Sequence, residues 1–346
     1  MHSGREEASV GIEQKKNAGT PRVTMRAVVQ QRYGPPTVLE LRELEVPEPS
    51  PTEVLVKIAA AAIHPGDYFV MTGEPHLVRL AFGIRRPRRG IPGRDLAGGV
   101  NAVGNDATAF RPGQQVFGWS PLGTLAQYAG VPQGNLAPIP ANLSMAEATA
   151  VPTSGLAALQ ALRRIANVQP GQRVLITGAS GGVGSFAVQI ATALGAEVTG
   201  VCSTRNLKLI RSLGAEHVVD YAQSDFTGGT KRYDVSFDNV EYRPLAVVRR
   251  ALTPTGTLTP NSGRGSRWIG PVGRILKARL LSAFSTQHLK PFVSRENQQD
   301  LLTLAALLGT GQITPVIDRT DPLDDAAAAL DYIAAGHTRG KVVITS

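Results

Sequence analysis

The stretch VLITGASGGVG, residues Val174 to Gly184, constrains this chain more than any other. Apolar and β-branched residues run straight into a glycine cluster, which opens an amphipathic segment, SFAVQIATALG, that closes at Gly195. The order predicts a strand, a tight turn and a helix. The first N–H groups of such a helix have no intrahelical partners and face whatever anion the glycines admit. Gly181 is expected to bend the chain sharply, while Gly182 and Gly184 carry no side chain to block a phosphate. In the spacing of dinucleotide-binding turns, Ala179, Gly181 and Gly184 take the three glycine positions, with alanine replacing the first.

The next predicted strand, EVTGVC, tests which dinucleotide is held. An acidic residue about 20 residues beyond the turn binds the ribose 2′-hydroxyl of NAD. None stands between Glu197 and Glu216; the strand runs instead into Ser203, Thr204, Arg205 and Asn206, donors suited to a 2′-phosphate. The cofactor expected from these residues is NADP(H).

The chain has 346 residues, 42% of them hydrophobic, enough to build two cores. No apolar run approaches the ~20 residues that span a bilayer, and the first residues lack the apolar core of a signal peptide, so a cytoplasmic protein is expected. The single cysteine, Cys202, excludes an internal disulfide framework and a thiolate cluster for structural zinc, and reads as a small core residue. A net charge of +9 raises the question of nucleic acid, since basic residues gather in RLAFGIRRPRRGIPGR, Arg79 to Arg94. Bases need several aromatic platforms, and the run holds a single aromatic, Phe82, so no nucleic-acid partner is expected. Three readings of the run stay open: a solvated loop, attraction of a phosphorylated cofactor, or an acidic partner of unspecified kind.

Residues 1–24 are polar and aperiodic and are expected to be disordered. Short β-type segments follow: MRAVVQ, LELRELE, EVLVKIAAAAI, GGVNAVG, QQVFGW and LAQYAGV, punctuated by glycine and proline, which predict a small β-barrel over 25–145. From Leu143 the spacing turns helical, and Ser144 with Glu147 forms a predicted capping box. Strands RVLITG, EVTGVC, HVVDY, YDVSFDNV and GTLTPN then alternate with helices, among them PLAVVRRAL, predicting a doubly wound parallel sheet. Beyond it lie predicted helices ILKARLLSAF, ENQQDLLTLAALLG and DDAAAALDYIAAG, a strand near PVI and a closing strand, KVVIT. The segment WIGPVGRILKARLLSAF has two readings: a helix lying on a membrane surface, or a pocket wall or dimer contact.

The β-rich first part, VPTSGLAALQAL, QPGQRVLITGASGGVG, LGAEVTGVCSTRN, LGAEHVVDY and the terminal GKVVI together resemble the medium-chain dehydrogenase/reductase superfamily, and within it the zinc-independent quinone oxidoreductase branch. The resemblance covers nearly everything from Met25 to Ser346. It implies an α/β protein: a GroES-like catalytic domain over 25–145, completed by 315–346, around a Rossmann NADP-binding domain over 146–314. The active site then lies in the cleft between them, and a homodimer is implied.

Zinc members of the superfamily use a cysteine where this chain has His64 and a GHE histidine where it has Arg94, in GRD; a cationic Arg94 repels a metal, so no metal site is expected. Without a Lewis acid to polarise an alcohol oxygen, hydride addition to an electron-poor acceptor remains, which points to quinones and α,β-unsaturated carbonyls as small-molecule substrates. By resemblance His64, Asp67 and Tyr68 line the nicotinamide side of the cleft and are the catalytic candidates. Zinc-free relatives usually carry asparagine at His64, so three roles stay open for it: a hydrogen bond to the nicotinamide ribose, a proton donor, or packing alone. Tyr68 reads equally as a pocket wall or a proton donor.

The resemblance also assigns the cofactor contacts. Thr153 meets the nicotinamide, Ser180, Gly181, Gly182 and Val183 hold the pyrophosphate, and Ser203, Arg205, Asn206 and Tyr221 surround the 2′-phosphate. Val240, Asn261 and Gly263 flank the nicotinamide, and Glu241 stands where relatives often have glycine. The leading expectation is an NADPH-dependent quinone or enone reductase. A zinc-free alcohol or aldehyde dehydrogenase and a non-catalytic NADPH-binding module are the alternatives.

Overall fold

The computed structural model describes residues 23–88, 90–240, 243–261, 268 and 272–346. Its strands and helices in the first part of the chain are β1 (Thr24–Gln30), β2 (Leu39–Glu45), β3 (Glu53–Ile63), α1 (Pro65–Thr72), α2 (Val78–Phe82), β4 (Asp95–Val103), β5 (Gln115–Trp119), β6 (Tyr128–Pro132) and β7 (Leu136–Pro138). Then follow α3 (Met145–Thr149), α4 (Pro152–Leu159), β8 (Arg173–Thr177), α5 (Gly182–Ala193), β9 (Glu197–Cys202), α6 (Leu207–Ser212), β10 (His217–Asp220), β11 (Tyr233–Asp238), α7 (Leu245–Val248) and β12 (Leu252–Pro260). The last elements are α8 (Val272–Ala283), β13 (His288–Leu289), α9 (Gln298–Gly309), β14 (Ile317–Pro322), α10 (Ala326–Ala334) and β15 (Lys341–Thr345).

Two larger sheets organise these elements. A six-stranded sheet runs β10-β9-β8-β11-β12-β13, every pairing parallel, with the order reversing beside β8. That reversal opens a crevice at the carboxyl ends of the strands, where doubly wound sheets bind ligands. A seven-stranded sheet runs β14-β15-β3-β4-β5-β7, with β6 also on β3, and is antiparallel except for β14 on β15. The C-terminal strand β15 therefore closes against β3, more than 270 residues earlier in the chain. A separate antiparallel hairpin joins β1 to β2.

The long apolar run of β3 is central in this sheet, paired with β4, β6 and β15, and all of it but Glu53, Lys57 and Ala59 is buried. One core cluster fills this lobe with Val56, Leu96, Val116, Leu136 and Leu330. A larger one spans both sheets: Phe117 and Trp119 of β5 join Leu156, Phe186, Phe237 and Leu304. The seam between the lobes is thus apolar and continuous.

The capping box at α3 forms as predicted, with Ser144 Oγ accepting from the Glu147 N–H. The PLAVVRRAL helix is shorter than expected, a single turn of α7 followed by a 3-10 turn at Arg249–Ala251, because β12 starts at once. Buried Cys202 fits its core role, its thiol pushed up to about 11 by burial and by nearby Asp220. No helix among the described residues is long and apolar enough to cross a membrane. The expected disorder of residues 1–24 falls almost wholly outside the described residues, as do Glu241 and Gly263.

Candidate functional site

The glycine turn after β8 forms a cradle, but the bend sits elsewhere than expected. Gly178 has the positive φ, +61°, while Gly181 is ordinary extended backbone at φ −80° that serves as N-cap of α5. The sharp turn therefore belongs to Gly178, which follows β8 directly. Ala179 is fully buried, and its N–H donates to the Val201 carbonyl at 3.0 Å, tying the turn to β9. A Cβ on Gly184 would collide with the Gly178 carbonyl oxygen, so the third glycine lets helix α5 lie on its strand. At Gly181 a Cβ would meet nothing nearer than the Gly178 oxygen at 3.5 Å, which leaves the helix start open to a ligand. The side chain that closes the cradle from the other lobe is Lys341, whose Cδ lies 3.0 Å from a Cβ built on Gly182. Gly340 reinforces this contact by donating its N–H to the Ser180 carbonyl at 2.8 Å.

Beyond β9, Asn206 is buried and joins the two serines: its Nδ2 donates to Ser180 Oγ at 2.9 Å and to Ser203 Oγ at 3.2 Å. Its Oδ1 is buried without a partner. Arg205 donates to the carbonyl of His337, across the seam. Thr204, read above as a further phosphate donor, instead spends its hydroxyl on the Asp220 carboxylate. Tyr221 is half-exposed beside them, its N–H on the Cys202 carbonyl at 3.2 Å. The backbone N–H of Asn261 donates to the Asp238 carbonyl at 3.0 Å, and its Nδ2 to Asn239 Oδ1 at 2.9 Å, while Val240 packs against Gly178. The structure thus gathers Ser180, Ser203, Arg205, Asn206 and Tyr221 at one end of the crevice, and Thr153, Val240 and Asn261 further along it.

Thr153 leads to a cluster that sequence reasoning missed. Its hydroxyl donates to Asp95 Oδ1 at 2.5 Å, and its N–H lies 3.2 Å from the same oxygen. Lys341 Nζ donates to Asp95 Oδ2 at 3.2 Å, with Asp95 and Lys341 only 0% and 2% exposed. This ion pair is dry, so each charge depends on the other. A charged residue opening an otherwise apolar strand, as in KVVIT, was the available signal. Next to it, Arg94 pairs with Glu296 at 2.5 Å.

His64 caps α1. Its Nδ1 accepts the Gly66 N–H at 3.0 Å, and the Asp67 carboxylate accepts the His64 backbone N–H at 2.9 Å. An Nδ1 that accepts carries no proton, so the ring holds it on Nε2, which is buried without a hydrogen-bond partner and lies 3.5 Å from Asp67 Oδ2. Burial, with the cations Lys341 and Arg94 outweighing Asp95, pushes the imidazole down to about 3, so it is neutral at ordinary pH. Gln30, His64, Asp67 and Arg94 supply the polar side chains of a cavity of about 280 Å³ whose apolar walls include Phe69, Val70, Met71, Val78, Phe82 and Ile91. Tyr68 does not line it; its ring packs against the barrel core. The arrangement suits a small, mostly apolar molecule held next to a dinucleotide.

Among the described residues, the grouping of metal-capable side chains is Glu197, Glu216 and His217, at the surface, and Lys231 already occupies Glu197 at 2.6 Å.

Comparison with known proteins agrees with this architecture. Residues 50–141 match the alcohol dehydrogenase GroES-like domain and residues 213–344 the zinc-binding dehydrogenase domain. A quinone-oxidoreductase homolog from Spinacia oleracea is 32% identical, across 92% of this chain and 98% of its own length. A 2-methylene-furan-3-one reductase from Solanum lycopersicum is 30% identical, across 92% of this chain and 79% of its own. The structure of a quinone oxidoreductase from Coxiella burnetii superposes with a TM-score of 0.81 at 28% identity, covering 94% of this chain and 100% of that one. Matched by family models in both lobes and by relatives along nearly its whole length, the chain belongs to the medium-chain dehydrogenase/reductase superfamily of nicotinamide-dependent oxidoreductases.

Proposed function

We propose that the protein is a zinc-independent, NADPH-dependent reductase of quinones or α,β-unsaturated carbonyls. The observation that carries this reading is a mostly apolar cavity lined by His64 and the cation Arg94, with Lys341 near enough to act on His64, where a zinc ligand set would have to assemble. His64 spends Nδ1 on the Gly66 N–H, and the positive charges beside it oppose a dication. An acceptor that is already electron-poor needs no Lewis acid.

In this proposal the first N–H groups of α5, at Gly182, Val183 and Gly184, hold the pyrophosphate with Ser180 and Gly181, on the buried support of Ala179. Ser203, Arg205 and Asn206 take the 2′-phosphate and Tyr221 closes over it. Thr153, Val240 and Asn261 flank the nicotinamide, with Gly263 assigned there from the sequence alone. When bound, the nicotinamide supplies the hydride. The apolar walls position the acceptor and keep water from the transfer, while the Gly66 N–H on Nδ1 fixes the His64 ring and Asp67 holds its backbone. The domain limits expected from the sequence, 25–145 with 315–346 and 146–314, belong to the same reading.

So does a homodimer. Leu276 and Leu280 of α8 and Phe284 just past its end are exposed at four-residue spacing beside the edge strand β13, an apolar stripe of the kind that self-association covers. Light scattering on the purified chain checks it. Cytoplasmic residence is proposed likewise; the spinach relative is named for the chloroplast, and cell fractionation decides for this protein.

The central test is NADPH oxidation by purified protein with a panel of quinones, enones, aldehydes and alcohols, before and after treatment with a strong chelator. Turnover of quinones or enones that survives chelation is expected. Silence across the panel, or alcohol oxidation that needs added zinc, would overturn the reading.

A further inference from the structure

Of the arginines in the basic run Arg79 to Arg94, Arg94 alone lines the site, and Trp268 has no part in it. The fold brings them together. From residue 75 to residue 94 the chain has six arginines and no acidic residue, against a net charge of +9 for the whole. Two of these arginines are engaged: Arg79 Nε donates to the Gly73 carbonyl at 2.9 Å, and Arg94 pairs with Glu296 at 2.5 Å. Arg85, Arg86 and Arg88 are exposed and have no acidic partner among the described residues.

Between them stand exposed apolar side chains, Leu80 at 65%, Ile84 at 68% and Trp268 at 69%. Trp268 is fixed to this segment: its carbonyl accepts the Leu77 N–H at 3.0 Å, and its ring meets His76 edge-on at 4.9 Å. The opposite side of the same segment, Val78, Phe82 and Pro87, walls the 280 Å³ cavity. One short stretch therefore encloses the acceptor cavity inwardly and shows alternating cations and large apolar groups outwardly.

We propose that this rim, formed by α2, the turn at residues 83–88 and Trp268, docks the protein onto an anionic lipid bilayer. Charge complementarity selects the partner. Unpaired guanidinium groups are attracted to an anionic headgroup layer, and Leu80, Ile84 and Trp268 can enter the boundary below it, a combination typical of interfacial segments. A second copy of the chain is a poor occupant, because two such rims face to face would set like charges against each other. Nucleic acid fits less well, because the rim offers bases a single aromatic platform, Trp268, while its other exposed apolar groups, Leu80 and Ile84, are aliphatic. Docked in this way, α2 would bring the cavity wall to the membrane, where apolar acceptors dissolve.

Co-sedimentation of the full chain with vesicles of phosphatidylcholine alone, or mixed with phosphatidylglycerol, tests the proposal without requiring turnover, so it stands or falls separately from the reductase reading. Binding to the mixed vesicles is expected at low salt, weakening as salt rises, with little on phosphatidylcholine alone. The double substitution Arg85→Gln/Arg86→Gln is expected to lower the partition coefficient on the order of 30-fold. Leu80→Ser/Ile84→Ser should weaken binding while leaving its salt dependence in place, with circular dichroism confirming that each variant is folded. Equal binding to both vesicle types, no binding to either, or undiminished binding by the arginine variant would overturn it. So would substitutions that change oligomeric state or retention on DNA instead.

Discussion

His64 shows how a backbone decides the chemistry of a side chain. Because the Gly66 N–H occupies Nδ1, the ring is held in one tautomer, and burial with Lys341 and Arg94 nearby keeps it uncharged. The folded state takes no second proton on the His64 ring until about pH 3, whereas the unfolded chain takes one near 6.5, so between those values unfolding binds the extra proton. Stability is therefore expected to fall as pH drops through this window, by about 1.4 kcal/mol per pH unit at the steepest. Urea unfolding at stepped pH should show this slope, and His64→Asn should flatten it. Arg205 gives the second residue-scale prediction. Its guanidinium donates to the His337 carbonyl, which a phosphate can replace with a charge-assisted bond. Arg205→Asp is expected to weaken NADPH relative to NADH by about 10- to 100-fold, read by fluorescence titration with each cofactor. An unchanged ratio would remove Arg205 from the phosphate site.

At the scale of elements, the cradle depends on how closely α5 lies over β8. Gly184 faces the Gly178 carbonyl with no room for a methyl group, and Ser185 and Gln189 above it are buried. Gly184→Ala must push the helix start away from the strand, at a cost of about 1–3 kcal/mol, and should lose cofactor affinity along with stability. A thermal melt and a cofactor titration on the same variant check both. The existence of this unit was legible from VLITGASGGVG, because strand, glycine cluster and amphipathic helix each leave a local mark. The location of its bend was not: Gly178 and Gly181 look alike in sequence, and only the path of β8 into the turn gives Gly178 the left-handed backbone. Thr204 was misread for the same kind of reason, since the acid it satisfies arrives from β10, sixteen residues later.

For the whole molecule, the decisive contact is the dry pair of Asp95 on β4 and Lys341 on β15, held to the start of α4 through Thr153. Lys341→Met would strand a buried carboxylate and is expected to cost about 3–5 kcal/mol, while Lys341→Met with Asp95→Asn should recover most of it. Denaturant unfolding of the single and double variants measures the difference. The sequence by itself determined the two sheet types, the glycine turn into α5 and the lack of an acid after β9, because periodicity and glycine spacing act over a few neighbouring residues, and the resemblance of its linked motifs marked the superfamily. Only the tertiary structure decided that Lys341 closes that cradle, that His64 is a neutral cap, that Thr204 is already engaged and that the arginine run shares a rim with Trp268. Those facts depend on groups far apart in the chain, whose burial and charge act on each other only after the lobes have come together.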